Sequence, residues 1–175
     1  MISLRFIGTP RRPRVTYLSR RRRSAVTWHL RAETTVGAPP SVVWSVLVDV
    51  ESYHEWNPVL RVRGDLTEGE RLWALLVDRD LPPTPFRPAV TRVDPGHELR
   101  WRTAFPLGTV TAEHSFRMEP APEGTRFVQS ERFEGSLVDP VLRRLSGSVR
   151  RVFDRMNDAM AVRAPHLADA DDTGG

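Results

Sequence analysis

The sequence predicts an α+β domain in which about seven antiparallel strands form one curved sheet wrapped around a long C-terminal helix, with two short helices after strand 1. Three observations carry this. Residues 58–134 hold six stretches of alternating apolar and polar residues, most joined by short connections rich in Gly and Pro, so they should pair as antiparallel neighbours. One earlier alternating stretch, 27–36, is set apart from them by two short helical segments. A single long stretch, 140–163, repeats its apolar residues every three or four positions.

In the first strand, Trp28, Leu30, Ala32, Thr34 and Val36 share one side, opposite His29, Arg31, Glu33 and Thr35. Gly37-Ala38-Pro39-Pro40 breaks it, and Pro40-Ser41 opens a helix of about 40–48 with Val43, Trp44, Leu47 and Val48 on its apolar face. Trp44 is expected in the core. From Asp49 a second short helix, ESYHEW, runs to a stop at Pro58, with Tyr53 and His54 expected to face solvent. Strands 58–66 and 70–79 pair around Glu68-Gly69. Residues 80–85 (DLPPTP) form a proline-rich link. Strands 86–93 and 97–105 pair around Asp94-Pro95-Gly96, where Pro presets φ and Gly takes a positive φ. Strands 108–119 and 124–134 pair around Pro120-Ala121-Pro122-Glu123-Gly124. The last helix carries Leu142, Leu145, Val149, Val152, Phe153, Met156 and Met160 on one face, with Pro140 and Pro165 as its boundaries. Gly147-Ser148 marks a possible bend.

The net charge is +4, with 26 basic residues, all arginine, against 22 acids. Residues 1–23 hold eight of the arginines and no acid, leaving 18 arginines against 22 acids in the rest, a net of −4. The basic signal therefore belongs to a leader, 1–25, expected to be disordered. The leader is an extension, an upstream segment before a start near Val15 or Val26, or an arm for nucleic acid or anionic membrane. The folded domain is expected over 26–163, with no nucleic-acid interface, and the acidic stretch 164–175 as a disordered tail. No apolar run reaches the roughly 18 residues of a transmembrane helix, and the arginines are not followed by a secretory apolar segment, so a cytoplasmic protein is expected. The absence of cysteine excludes a disulfide scaffold, a thiolate metal site and a cysteine nucleophile. The five histidines lack metal-ligand spacing, and no phosphate-cradling Gly loop or G-x-S-x-G motif occurs, so no metal and no cofactor are expected.

Alternation assigns the interior face. Val110, Ala112, His114, Phe116 and Met118 share a side that is apolar except for His114. Thr125, Phe127, Gln129, Glu131 and Phe133 share a side of the next strand, and Leu99, Trp101, Thr103 and Phe105 a side of the preceding one. Counting from the turn at Ala121-Pro122 sets Glu131 opposite roughly 112–114, so His114 and Glu131 should form an inward pair. Such a pair can satisfy itself inside a polar patch, orient a ligand, or transfer protons as an acid–base unit.

Val36-Gly37-Ala38-Pro39-Pro40-Ser41-Val42-Val43-Trp44, Asp49 through Trp56-Asn57-Pro58, His114–Met118, Gly124–Phe127, Glu131–Gly135 and the long terminal helix are together similar to the SRPBCC superfamily, the START-type and polyketide cyclase-like proteins of helix-grip fold. The resemblance covers about 26–163. It implies a deep apolar cavity between sheet and helix that binds a hydrophobic small molecule, such as a lipid, polyketide, isoprenoid or aromatic. The alternative it implies is a polyketide cyclase or aromatase using His114 and Glu131 for proton transfer. The cavity residues expected on this basis are Trp56, Asn57, Trp101, Thr103, Phe116, Met118, Phe127, Gln129, Phe133, Phe153, Met156, Asn157 and Met160. Trp56-Asn57-Pro58 is either a helix stop with lid packing or a direct ligand contact. Oligomeric state is left open.

Overall fold

The computed structural model describes residues 18–22, 25–79, 81–105 and 109–172. Strands β1 (Leu18–Arg22) and β2 (Ala25–Val36) come first. Helix α1 (Pro40–Val48), one 3₁₀ turn (Val50–Ser52) and helix α2 (Tyr53–Trp56) follow. Seven strands come next: β3 (Leu60–Arg63), β4 (Trp73–Asp78), β5 (Leu81–Phe86), β6 (Ala89–Asp94), β7 (Glu98–Ala104), β8 (Thr111–Ala121) and β9 (Gly124–Gly135). Helix α3 (Val138–Asp172) ends the described chain.

Every strand pair is antiparallel. Six strands are ordered β1-β2-β9-β8-β7-β6 and three are ordered β3-β4-β5. The two sheets meet where Val90 N–H donates to Glu70 O and Leu72 N–H to Pro88 O, beside a bridge between Arg71 and Ala89. The result is one curved surface against which α3 lies, chiefly across β2. This is the helix-grip arrangement the sequence predicts.

Local chemistry explains the elements. Pro40 opens α1 without wasting an N–H, and the Pro39 carbonyl accepts from Val42 and Val43. After α2, Asn57 Oδ1 accepts the N–H groups of Val59 and Leu60 at 3.0 Å each, turning the chain into β3. Gly124 opens β9 at φ +123, where a Cβ would fall 2.3 Å from Val36 O and 2.8 Å from Ala38 N. Beside it Thr125 Oγ1 donates to Ala38 O at 2.7 Å. The Gly-Ala-Pro segment is thus seated on the β8–β9 turn.

Four expectations need correction. The proline-rich stretch expected as a link over 80–85 is strand from Leu81 onward, and residue 80 lies outside the described residues. As β5 it sits at a sheet edge, where missing N–H donors are tolerated. Part of the leader, Leu18–Arg22, is a strand at the outer edge of β2, because β2 offers an unpaired edge to it; residues 1–17, 23 and 24 lie outside the described residues. The tail is helical to Asp172, and Pro165 lies inside α3 rather than after it. The helix survives the lost hydrogen bond because Ala164 is fully buried and Ala168 packs against the core beyond it. Tyr53 is fully buried, its hydroxyl donating to Leu47 O at 2.7 Å, while His54 is exposed as expected. Burial holds the Tyr53 phenol far above its usual range. Trp44 is half-buried against the core.

The buried side chains form two groups. The larger joins α1, α2, β3 and the Met156–Ala164 part of α3 to Phe116, Met118 and Phe127. The smaller joins Leu30, Ala32, Ala112 and Phe133 to Val138, Leu142 and Phe153.

Candidate ligand cavity

A cavity of about 660 Å³ is walled by residues of both groups. Its floor and walls come from Val59 and Leu60, from Trp101 and Thr103 on β7, from Ala112 and His114 on β8, and from Gln129, Glu131 and Phe133 on β9. Helix α3 covers it with residues from Val138 to Met156. Leu81, Pro82 and Thr84 of β5, with Leu137 and Val141, complete the lining. Leu137 and Val141 are 48% and 39% exposed, so that side forms the rim.

The strand register brings the inward polar groups together. β8 and β9 are joined by a two-residue turn, which sets His114 directly opposite Glu131 and Phe116 opposite Gln129. His114 Nδ1 stands 4.0 Å from Glu131 Oε1. His114 Nε2 is 3.2 Å from Gln129 Oε1, and Gln129 Nε2 donates to Asn157 Oδ1 at 2.7 Å. Since Gln129 presents its carbonyl oxygen to the histidine, Nε2 carries the hydrogen and Nδ1 keeps its lone pair. The imidazole stacks on Phe116 at 4.2 Å and on Phe153 at 4.9 Å between centroids.

Burial sets the charge states. Desolvation holds His114 down at about 3, although its hydrogen bond to Gln129 works the other way. Desolvation also pushes Glu131 up to about 8. Near neutral pH the cavity therefore presents an uncharged imidazole with an accepting Nδ1 and a carboxylic acid able to donate. Among the described residues no arginine lines it.

Of the residues expected from the sequence, Trp101, Thr103, His114, Gln129, Glu131, Phe133, Phe153 and Met156 line the cavity. Phe116, Met118, Phe127 and Met160 sit behind the wall in the larger core group. Asn157 is fully buried and anchors Gln129 from behind. Trp56 packs edge-on against Tyr53, 5.1 Å between centroids, and Asn57 holds the turn into β3, so neither lines the cavity. The sequence reading missed the β5 residues and the first half of α3. For α3 the signal was present, since Leu142, Leu145, Val149 and Val152 lie on the same apolar face as Phe153.

Residues 27–164 match the family model described as polyketide cyclase / dehydrase and lipid transport. The chain belongs to this family. Solved structures with the same fold include a protein of unknown function from Staphylococcus aureus, with TM-score 0.64 and 10% identity over 82% of this chain and 96% of that one. A Chromobacterium violaceum protein gives 0.62 and 14%, covering 78% and 96%. Ara h 8.0201 gives 0.56 and 14%, covering 77% and 97%. No curated protein matches the chain in sequence. At these identities the structural likeness is one of fold, and family membership leaves open whether a member carries a ligand or transforms it. Among the described residues of this family member, no three His, Asp or Glu side chains are grouped to hold a metal ion, and no helix is long and apolar enough to cross a membrane.

Proposed function

We propose that the protein binds one hydrophobic small molecule (a lipid, polyketide, isoprenoid or aromatic) in the cavity under α3, as a carrier, sensor or sequestering protein. The observation that carries this is the cavity itself. Its volume falls in the range of roughly 300–1,000 Å³ typical of small-molecule sites, and its lining is apolar but for a few placed polar groups, Glu131 and His114 among them. The family's description, which couples cyclase chemistry to lipid transport, supports the same reading. Native mass spectrometry of protein isolated from its own host tests it. A non-covalent adduct of small-molecule mass that organic extraction removes is expected. Unliganded protein alone, with no uptake of the neutral apolar dye Nile red, would contradict it.

The second reading, a cyclase or aromatase, is favoured by one observation: Glu131 and His114 Nδ1 face the cavity side by side as an acid and a base. His114 would take a proton from a carbon next to a carbonyl while Glu131 gives its proton to the carbonyl oxygen, leaving an enol. Under this reading Glu131→Gln and His114→Ala abolish turnover of a poly-β-keto chain while dye uptake persists. Unchanged turnover would refute it.

A further inference from the structure

We infer that the cavity's occupant carries a hydroxyl group, as an alcohol or phenol, and that this hydroxyl bridges Glu131 and His114. The inference rests on the proposal that the cavity holds an apolar molecule, and it adds the chemistry of that molecule's polar end.

The geometry is that of a gap with a donor on one side and an acceptor on the other. At 4.0 Å, Glu131 Oε1 and His114 Nδ1 are too far apart for a hydrogen bond to each other. An oxygen placed about 2.8 Å from each subtends an angle of about 90° between them, within reach of a hydroxyl that accepts from one and donates to the other. The Gln129–Asn157 hydrogen bond orients the Gln129 amide, which fixes the histidine tautomer and leaves Nδ1 as an acceptor aimed at the gap. Both groups line the cavity, so the gap between Glu131 Oε1 and His114 Nδ1 opens onto the space where a ligand would lie.

Other head groups fit worse. A carboxylate would bring an anion beside Glu131 in a wall whose described residues include no cation. A ketone accepts from Glu131 but gives Nδ1 nothing. An ammonium could donate to both, but only by ionising Glu131 and burying an ion pair among apolar side chains, with the desolvation cost that entails. Burial, by keeping Glu131 protonated at neutral pH, favours the hydroxyl over the ammonium.

A matched set of twelve-carbon probes tests this on the full chain at pH 7, read as displacement of Nile red. Dodecan-1-ol should displace the dye at concentrations at least roughly tenfold below those of dodecanoate, dodecylamine and dodecane, the effect of one or two well-made hydrogen bonds. Glu131→Leu and His114→Phe should each bring the alcohol down to the level of dodecane, and Glu131→Gln, which keeps a donor, should retain most of its advantage. Circular dichroism confirms that each variant is folded. Dodecanoate or dodecylamine binding as tightly as the alcohol would overturn the inference, as would an alcohol advantage that persists in both folded apolar variants. Binding of all probes without head-group preference sinks this inference alone. Failure of the wild type to bind Nile red or any probe sinks the cavity proposal with it.

Discussion

His114 shows how one side chain's surroundings decide its chemistry. A histidine free in water would titrate near neutrality. Here two phenyl rings stack on it and burial keeps it neutral, against the opposing pull of its hydrogen bond to Gln129. Glu131 is its counterpart, an acid kept protonated by the same burial. The pair gives stability a definite pH dependence. Between about 4.5 and 8 native Glu131 holds a proton that the unfolded chain has lost, so its contribution falls as pH rises. Between about 3 and 6.5 the unfolded chain binds a proton that native His114 does not, so that contribution rises with pH. The two oppose each other from 4.5 to 6.5, and above that Glu131 acts alone up to about 8. Glu131→Gln should therefore gain stability over the wild type progressively toward pH 8, by up to about 1.4 kcal/mol per pH unit. Denaturant titrations at several pH values check this; a wild type-minus-variant difference that is flat with pH would contradict it. Phe153→Ala, by opening one face of the imidazole, should raise the His114 pKa toward its ordinary value as seen by NMR, and should destabilise by about 3–5 kcal/mol. The inward pairing of His114 and Glu131 was readable from the sequence because strand alternation and a short turn leave one register. The role of Asn157 was not, since nothing in a helix pattern marks a residue that reaches behind a strand to hold an amide.

The elements show where local signals suffice and where tertiary context overrides them. Strands β6 to β9 follow their alternation and their Gly- and Pro-marked turns closely. β5 does not read as a strand, because proline is scored against strand formation wherever it falls, whereas an edge that needs no donor accepts it. Pro165 reads as a stop, yet α3 passes through it because burial of Ala164 and packing of Ala168 outweigh one missing hydrogen bond. Gly124 shows the opposite constraint. Its φ of +123 and the 2.3 Å approach a Cβ would make to Val36 O leave no room for adjustment by backbone on either side. Gly124→Ala should cost about 2 kcal/mol or more, measured by thermal or urea unfolding. A variant with wild-type stability would mean that the β8–β9 turn and the Gly-Ala-Pro segment are less tightly seated than described.

At the scale of the molecule, the apolar residues needed to fill the space between sheet and helix are divided into two groups with a cavity where they meet. A curved sheet gripping a long helix leaves such a space unless side chains are chosen to fill it. In this chain the residues facing it include the small Ala112 and Thr103. The sequence showed which faces point inward but could not show the gap, because a wall residue and a core residue have the same alternation. That is why Phe116 and Phe127 were expected in the cavity and instead lie behind it. The charge divides in the same plain way, with the basic excess in residues 1–23 and a net of −4 in the remainder. Nile red titration of the wild type beside Val149→Trp, which places an indole in the cavity from the α3 side, bears most directly on whether this space is a binding site. Saturable one-to-one binding by the wild type, weakened at least roughly tenfold in a folded Val149→Trp variant, is the predicted result. Absence of saturable binding by folded wild type, or equal binding by both proteins, would contradict it.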